Sequence, residues 1–424
     1  MTALDPRLLP QTASVAADGS LSIGGVSIAD LAAEYGTPLF VYDETHLRDR
    51  CREAVTEFGR DNVVYATKAF LCGAMARLAT EEGLLLDVAS GGELHTALHA
   101  GVPAGRCVLH GNNKSADELR RAVTAGVHHI IVDSFDELDR LEALHAEGLP
   151  APRIQLRVTP GVHAHTHEFV STGQDDSKFG FNLNNGDAMR AVERARSSRA
   201  WHLSGLHCHI GSNVLDATLF TKASKVMVDL FRRSALEELT LGGGLGVAYT
   251  AAEHAPTMKQ WSDAIAAATE SLPAGTIIRV EPGRSIAAAA AVTVYTVGTV
   301  KHIEGIRDYV AVDGGMSDNP RPMMYGSQYE AFDPARVNDP RTARARIVGK
   351  HCESGDIVIE DAEVPAGIVP GDLLVTPVTG AYGYSMASNY NKVPRPAVVF
   401  VADGRSRLVV RRETDEDLVR LDVL

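Results

Sequence analysis

Polar, charged or glycine residues that could take part in chemistry follow seven of eight short, mostly apolar runs of the chain. In order they are Lys68, Asp87, His110 with Asn112, Asp133, His209 with Ser212, Gly242 to Gly244, and Glu281 with Gly283 and Arg284. Lys68 alone is most simply a solvated strand end. If the runs are strands of one parallel barrel, however, the residues that follow them meet at one mouth. We therefore expect these residues to form a single site.

Three of these positions predict an anion site. The stretch LGGGLG (241–246) can bring backbone N–H groups close to a phosphate, and a glycine-rich turn before a helix favours the same ligand. Ser212 adds a hydroxyl, and EPGR (281–284) adds a glycine and a guanidinium. Three glycines alone fit a plain tight turn equally well, so the prediction depends on all three segments together.

A phosphate site, one lysine and one carboxylate at the same mouth suit pyridoxal phosphate. Its aldehyde forms a Schiff base with a lysine, for which Lys68 is the candidate. Glu281 would face the pyridine nitrogen and keep it protonated through a charge-assisted hydrogen bond.

The eight runs have the residue pattern of buried parallel strands. They cover residues 63–68, 84–90, 107–112, 129–134, 153–160, 203–212, 236–244 and 276–283, and segments of helical periodicity separate them. Buried parallel strands lack a clean alternation of apolar and polar residues. This pattern predicts an α/β fold with a (β/α)8 barrel. The pairs Ser90/Glu93, Ser115/Glu118 and Ser134/Glu137 match the capping box at helix starts, although Ser90 and Glu93 also suit a cofactor role.

The ends of the chain differ from the barrel. After about residue 287, short alternating strands with turns predict a β-rich domain, which PLFVYD (38–43) near the N-terminus is expected to join. The predicted limits are 1–43 for the N-terminal part of the β domain, 44–286 for the barrel and 287–424 for the remaining β domain. A long connection at 161–202 is expected to serve the site.

Composition excludes several classes of protein. The formal charge of −13 disfavours a nucleic-acid partner, and five scattered cysteines indicate reduced thiols. We predict no membrane-spanning segment, because SIAAAAAVTVYTVGTV (285–300) has the texture of a buried strand. The start of the chain lacks the pattern of a secretory signal, so a cytoplasmic enzyme is expected.

Longer motifs identify a family. The chain resembles the diaminopimelate decarboxylases, which are alanine-racemase-like (fold type III) enzymes that use pyridoxal phosphate. The resemblance runs from about 25 to 410 and is carried by VYATKAF, DVASGGEL, HGNNKS, RVTPGVHAHTHEFVSTGQDDSKFGF, GLHCHIGSN, LGGGLGVAY, EPGRS, RPMMYG, KHCESGD and GAYGYSMASNYN. STGQDDSKFGF is more specific to these enzymes than the glycine motifs.

The resemblance implies a role for each site residue. Lys68 would carry the cofactor and His209 would stack on its ring, with Glu281 at the pyridine nitrogen. The phosphate would be held by Ser212, Gly242, Gly243, Gly244, Gly283 and Tyr382, and Arg284 would also contact the cofactor. The substrate would be held by Arg284, Arg321, Tyr325, Glu353 and Tyr382. Cys352 would donate a proton, and both Cys352 and Glu353 would come from the neighbouring subunit of a homodimer.

The implied reaction is decarboxylation of meso-2,6-diaminopimelate at its D-centre, which gives L-lysine and CO2 in the last step of lysine biosynthesis. The far end of this substrate carries a carboxylate and an ammonium, which suit a planar guanidinium and an acid. Arg321 and Tyr325 stand four residues apart and are predicted to share a helical face. No metal site is predicted.

Several alternatives stay open at this level. Fold type III decarboxylases of ornithine, arginine, lysine or carboxynorspermidine are the main ones, because Asn213, Thr159 and Gly383 replace residues more usual in the family. More remote alternatives are a non-catalytic protein that binds pyridoxal phosphate and a metal-dependent barrel hydrolase. The hydrolase is suggested by the His-x-His pattern of His207 and His209 and by the three histidines at 163, 165 and 167. A racemase is disfavoured because alanine racemase places an arginine, not a glutamate, at the ring nitrogen.

Overall fold

The computed structural model describes residues 4–161 and 174–424. In chain order its strands are β1 (Ser14–Val15), β2 (Leu21–Ile23), β3 (Val26–Ser27), β4 (Leu39–Asp43), β5 (Val64–Ala66), β6 (Leu85–Val88), β7 (Cys107–Leu109), β8 (His129–Val132), β9 (Arg153–Thr159), β10 (Phe181–Asn182), β11 (His202–Cys208), β12 (Glu238–Thr240), β13 (Ile277–Arg279), β14 (Ala291–Ile303), β15 (Arg307–Val312), β16 (Ala343–Val348), β17 (Ile357–Val364), β18 (Leu373–Pro377), β19 (Ala397–Ala402) and β20 (Arg405–Val410). Its α-helices are α1 (Ile28–Tyr35), α2 (Glu44–Phe58), α3 (Gly73–Glu81), α4 (Gly91–His99), α5 (Ala116–Ala125), α6 (Phe135–Ala146), α7 (Asp187–Ser197), α8 (Ala217–Ser234), α9 (Met258–Thr269), α10 (Arg284–Ala287), α11 (Arg321–Tyr325) and α12 (Asp415–Val419).

The chain forms two compact units. The barrel unit consists of Arg50–Val247 and Ala255–Ser285, and the β unit consists of Met1–Asp49, Ala248–His254 and Ile286–Leu424. The β unit therefore takes a short segment from the middle of the chain as well as both ends. Nothing in the composition of residues 248–254 indicated this assignment.

The barrel unit contains the predicted parallel barrel. Its strands lie in the order β13-β12-β11-β9-β8-β7-β6-β5, and every neighbouring pair is parallel. Val63 forms a parallel bridge with Val280, and the Val64 N–H donates to the Val280 carbonyl at 2.8 Å, so the first and last strands meet. All eight predicted runs are strands, which confirms the (β/α)8 fold.

The core of the barrel explains why the runs lack alternation. Val64, Leu85, Val108 and Ile131 come from four consecutive strands and pack together as one buried cluster. The opposite faces of the same strands are covered by helices, so both faces are apolar. Each strand therefore ends where the apolar run ends, and the polar residues begin at the mouth.

Helix starts place several loops near this mouth. Ser90, Ser115 and Ser134 each accept a hydrogen bond from the backbone N–H three residues later, as predicted. Of these three pairs, Ser115 and Glu118 complete a capping box, whereas the Glu93 carboxylate accepts from the Ala89 N–H instead. The Glu137 carboxylate likewise turns to Lys114 and to the Asp133 N–H. The reciprocal half of the predicted box is wrong for these two helices.

The β unit has a mixed sheet in the order β17-β16-β15-β14-β4-β19-β20, with β18 paired to β14. Strand β4, from PLFVYD, lies antiparallel to β14 and parallel to β19, so the N-terminal segment is a central strand of the C-terminal sheet. This confirms that both termini build one β-rich domain. Strand β16 was not predicted.

Residues 285–300 are not a membrane helix. They lie in the short helix α10, a turn and strand β14, whose first five residues are buried. In the described part of the chain, no helix is long and apolar enough to cross a membrane.

Candidate functional site

Lys68 lies just past the end of strand β5, in a short 3₁₀ turn at Thr67–Ala69. Its side chain is exposed although Thr67 and Ala69 on either side are buried. The Thr67 hydroxyl donates to the Asp87 carbonyl at 2.6 Å and fixes the turn to the neighbouring strand. The backbone therefore holds an amine at the barrel mouth on a rigid support.

Glu281 follows the last strand, β13, and its side chain is 6% exposed. Oε2 accepts a hydrogen bond from His207 Nε2 at 2.9 Å, whereas Oε1 lies 3.1 Å from His110 Nε2. The second contact is a close approach rather than a hydrogen bond, and within residues 4–161 and 174–424 Oε1 accepts no hydrogen bond. Burial opposes ionisation, but the two imidazoles outweigh it and hold the Glu281 pKa well below its ordinary value. Glu281 is therefore a carboxylate with one oxygen still to be satisfied.

His209, which follows β11, is fixed by its ring nitrogen Nδ1, which accepts the Gly243 N–H at 3.2 Å. Nδ1 is thus unprotonated. Burial and the nearby charges of Lys68 and Arg157 hold the His209 pKa well below its ordinary value, so the ring is neutral at pH 7. His209 follows β11 and Lys68 follows β5, so both residues lie at strand ends of the same barrel.

The glycine run is required by close backbone packing. A Cβ at Gly243 would lie 1.9 Å from the Glu281 carbonyl oxygen. A Cβ at Gly242 would lie 2.4 Å from the Cys208 carbonyl oxygen, and Gly242 has φ +63°. The glycines therefore let three neighbouring strand ends approach one another, and this requirement would hold whether or not a phosphate binds.

Ser212 and Arg284 are brought together although they are far apart in the chain. Arg284 Nη2 donates to Ser212 Oγ at 2.9 Å, and the Arg284 side chain is buried. Gly283 lies beside them, where a Cβ would come within 2.9 Å of the Ala66 Cβ. The residues of the barrel unit that are predicted to bind the phosphate thus lie at neighbouring strand ends.

In the β unit, Arg321 begins helix α11 and lies between two tyrosine rings. Its guanidinium carbon is 4.2 Å from the centre of the Tyr249 ring and 5.5 Å from that of Tyr329, whose hydroxyl it also contacts. Burial disfavours the charge, but Tyr329 and Tyr249 outweigh it and raise the Arg321 pKa. Tyr325 ends the same helix, as the four-residue spacing predicted.

The other predicted residues of the β unit lie on its loops. Tyr382 adopts φ +60°, a conformation that is strained for a residue with a side chain, and its phenol contributes to the raised Arg321 pKa. Cys352 and Glu353 are exposed. The Cys352 N–H donates to Asn391 Oδ1 at 3.0 Å, and the Glu353 carboxylate accepts from the Gly355 N–H at 3.3 Å.

Sequence reasoning missed the grouping of His110 and His207 with Glu281. One nitrogen or oxygen atom of each of these three side chains lies within 4.8 Å of the corresponding atoms of the other two. This spacing suits hydrogen bonding and would also suit a metal ion. The His-x-His pattern was noticed, but its two histidines do different things: His207 bonds to Glu281 and His209 bonds to the glycine turn. The histidines at 163, 165 and 167 lie outside the described residues.

Comparisons with known proteins agree with this geometry. The family model "Pyridoxal-dependent decarboxylase, pyridoxal binding domain" matches residues 44–288. The diaminopimelate decarboxylase of Mycobacterium tuberculosis (strain H37Rv) is 46% identical, over 99% of this chain and 98% of that protein. The chain belongs to the diaminopimelate decarboxylase family.

Further relatives extend the match to other organisms and to solved structures. The diaminopimelate decarboxylase of Bacillus subtilis (strain 168) is 47% identical, over 96% of this chain and 95% of that protein. A crystal structure of diaminopimelate decarboxylase from M. jannaschii in complex with L-lysine has a TM-score of 0.89 and 32% identity, covering 98% of both chains. The likeness to the family therefore includes the β unit as well as the barrel.

Proposed function

We propose that this chain is a pyridoxal-phosphate-dependent enzyme that removes CO2 from the D-centre of meso-2,6-diaminopimelate and produces L-lysine. The observation that carries the proposal is the 46–47% identity to diaminopimelate decarboxylases over at least 96% of the chain. Identity at this level across both units supports a shared substrate as well as a shared fold.

The barrel mouth fits the cofactor in one specific respect. Glu281 Oε1 is a buried carboxylate oxygen that no donor in the described part of the chain satisfies, and the protonated pyridine nitrogen is a donor of the right kind. When bound, pyridoxal phosphate supplies a cationic ring that accepts the electrons left on the substrate carbon as CO2 departs.

Different residues of the barrel unit would bind different parts of pyridoxal phosphate. Lys68 would attach it covalently through its amine, and the neutral ring of His209 would lie against it. Its phosphate would be held by Ser212, Gly242, Gly243, Gly244, Gly283 and Arg284, together with Tyr382 of the β unit. The Arg284–Ser212 hydrogen bond supports this set because it places a cation and a hydroxyl side by side.

Substrate binding would depend mainly on the β unit. Arg321 would hold the far carboxylate of the substrate with Tyr325, because a guanidinium pairs with a carboxylate through two parallel hydrogen bonds. Its burial beside two tyrosines supports this role, since both rings contact the guanidinium and hold it in place. Arg284 and Tyr382 would contact the substrate near the cofactor, and Glu353 would hold the ammonium end.

Proton return to the substrate carbon would come from Cys352. Its exposure supports a role outside its own subunit, because an exposed thiol is accessible to a second chain. We therefore propose a homodimer in which Cys352 and Glu353 complete the partner's site. A Cβ at Gly355 would lie 3.7 Å from Met323 Cγ and 3.9 Å from Glu353 Oε1, so exposed Met323 gives apolar surface close to Glu353 for such a contact. The cytoplasmic location expected from the sequence stays a prediction.

The substrate is tested by measuring CO2 release from the purified protein with meso-, L,L- and D,D-diaminopimelate, ornithine and arginine. We expect release from the meso isomer, with one L-lysine formed per CO2. Release from ornithine or arginine only would overturn the substrate assignment and leave the fold intact. In that case the replacements at Thr159, Asn213 and Gly383 become the first residues to revert.

A further inference from the structure

Glu281 has two carboxylate oxygens in different environments. His207 Nε2 lies 2.9 Å from Oε2 in hydrogen-bond geometry, and both side chains are buried. Oε1 is left without a donor among residues 4–161 and 174–424. A carboxylate held at one oxygen has a fixed orientation, and its other oxygen points in a defined direction.

The protonation of His207 follows from its partners. A carboxylate only accepts hydrogen bonds, so the proton lies on Nε2. Nδ1 is buried, and in the described part of the chain it has no hydrogen-bond partner, as expected for a bare lone pair. Burial lowers the His207 pKa more than Glu281 raises it, so the ring is neutral at pH 7. His207 therefore donates a hydrogen bond to Glu281 without cancelling its negative charge.

This combination matters for a ring nitrogen that has to stay protonated. A neutral donor orients the carboxylate and leaves its full charge to attract the ring N–H. A second cation in the same place would instead compete with the ring for that charge.

We propose that His207 is a positioning residue, which holds Glu281 Oε2 so that Oε1 faces the ring nitrogen of the cofactor. The inference rests on the proposed function only in assuming that pyridoxal phosphate occupies the barrel mouth. It does not depend on which amino acid is decarboxylated.

Other titratable and charged groups near Glu281 also influence the titration of the site. His110, which follows β7, lies 3.1 Å from Oε1 and 3.8 Å from Asp87 Oδ1, and its ring meets the His207 ring edge to face at 5.1 Å. Arg157 on β9 acts on the pKa values of both His207 and His209, and Lys68 acts on that of His209. These groups are unchanged in the variants below, so a change in the pH profile reports on the His207 contact.

Two amide substitutions at His207 distinguish a role of its hydrogen bond from a role of its volume alone. In His207→Gln the side-chain NH2 reaches about as far as imidazole Nε2, whereas in His207→Asn it reaches only about as far as Nδ1, short of Glu281. His202→Gln serves as the matched control, because His202 begins the same strand and is exposed. The measurements are the dissociation constant of the cofactor from the holoenzyme, the pH dependence of its visible absorbance, and kcat.

We expect His207→Asn to weaken cofactor binding and lower kcat by about 10- to 100-fold, the range for losing a hydrogen bond to a charged group. The pKa of Glu281 should rise, so the acid side of both pH profiles should move to higher pH. His207→Gln should stay within about fivefold of the wild type with an unshifted profile, because the donor is kept. His202→Gln should match the wild type.

Each other outcome is decisive. If the Asn and Gln variants lose affinity equally with unshifted profiles, the donor is not what matters and the proposal is wrong. If both keep wild-type affinity, Glu281 is held by other groups and the proposal is again wrong. If the wild type binds the cofactor but decarboxylates none of the substrates tested, the proposed function is wrong. The cofactor affinity and absorbance of the His207→Asn and His207→Gln variants would still test the role of His207.

Discussion

The guanidinium carbon of Arg321 lies 4.2 Å from the centre of the Tyr249 ring. Tyr249 also meets Tyr329 edge to face at 5.3 Å, so the two rings enclose the guanidinium as a pair. All three residues are in the β unit, although Tyr249 comes from the short segment Ala248–His254. This segment therefore orients a side chain that we assign to the substrate carboxylate.

Tyr249→Leu should raise the KM for meso-diaminopimelate by about 3- to 30-fold, which is the worth of one buried cation–π contact. kcat should change much less, because the cofactor residues are untouched. Tyr309→Leu is the control, since its ring also lies beside an arginine, Arg346, at 5.8 Å but in a more exposed pair. An unchanged KM in Tyr249→Leu would contradict the assignment of Arg321.

Lys68→Ala should abolish the visible absorbance of bound cofactor and CO2 release together. The amine is the predicted point of covalent attachment, and the turn at Thr67–Ala69 should persist because the Thr67 hydroxyl still donates to the Asp87 carbonyl. Absorbance spectra and CO2 assays on one sample check this. Lys225→Ala, which removes an exposed lysine from helix α8, should leave both unchanged. Turnover retained by Lys68→Ala would refute the central assignment.

Much of the fold could be predicted because its signal is local. Strands such as β5 and β6 are short, mostly apolar runs, and each is followed by a segment of helical periodicity, so Lys68 and Glu281 could be placed at strand ends from spacing alone. Strand β16 was not among the predicted strands, because Arg344 and Arg346 alternate with alanines in ARARIV and leave it with little apolar signal. Its buried Ala345 and Ile347 were the available signal.

The parts that could not be predicted depend on side-chain direction across long separations. The Ser-x-x-Glu pattern correctly predicted the three N-caps. The Glu93 and Glu137 carboxylates, however, accept hydrogen bonds from Ala89 and Lys114 in neighbouring loops. The partnership of His207 with Glu281 joins strands 74 positions apart. Spacing indicates that both reach the mouth, but not which of their atoms meet.

Gly383 shows how a departure from the family pattern can be structural. A Cβ at this position would lie 3.0 Å from the Thr379 carbonyl oxygen and 3.1 Å from Cε1 of the Phe40 ring. The cysteine that is more usual in the family would therefore require these neighbours to shift. This packing gives glycine at 383 a structural reason.

Mixing two inactive variants tests whether the subunits share sites. Lys68→Ala and Cys352→Ala each remove a residue assigned to the site, one from the barrel unit and one from the β unit. If the site uses Cys352 of the partner, a mixed dimer has one site with both residues intact. With random exchange, half the dimers are mixed and half their sites are intact, so activity should recover to about a quarter of wild type.

The measurement is CO2 release after the two variants are unfolded and refolded together, compared with each refolded alone. Lys68→Ala mixed with Lys68→Ala/Cys352→Ala is the control, because no combination of those chains makes an intact site. A dimer that shows no recovery in the first mixture, with subunit exchange confirmed by a mass label, would place Cys352 in its own subunit's site. A monomer by sedimentation would remove the shared site altogether.

A second buried charge cluster lies at the start of the barrel strands and predicts acid sensitivity. Glu238 is 2% exposed, and its carboxylate lies 2.8 Å from His129 Nε2 and 2.9 Å from both Arg279 and Arg153. Burial alone would raise its pKa, but His129 and Arg279 outweigh burial and lower the pKa from the ordinary 4.5. Burial is also the main cause that lowers the His129 pKa from 6.5.

Both shifts act in the same direction on stability. The unfolded chain binds protons more readily than the folded one at each group, so the free energy of unfolding should fall as the pH drops below 6.5 for His129 and below 4.5 for Glu238. Glu238→Gln should cost about 3–5 kcal/mol at pH 7, because it leaves the buried Arg279 guanidinium without its carboxylate partner. It should also flatten the stability curve below about pH 5, where Glu238 no longer titrates. Urea unfolding between pH 4 and pH 8 measures both effects, with the exposed neighbour Glu237→Gln as control. If Glu238→Gln is as stable as that control at pH 7, the cluster does not stabilise the barrel.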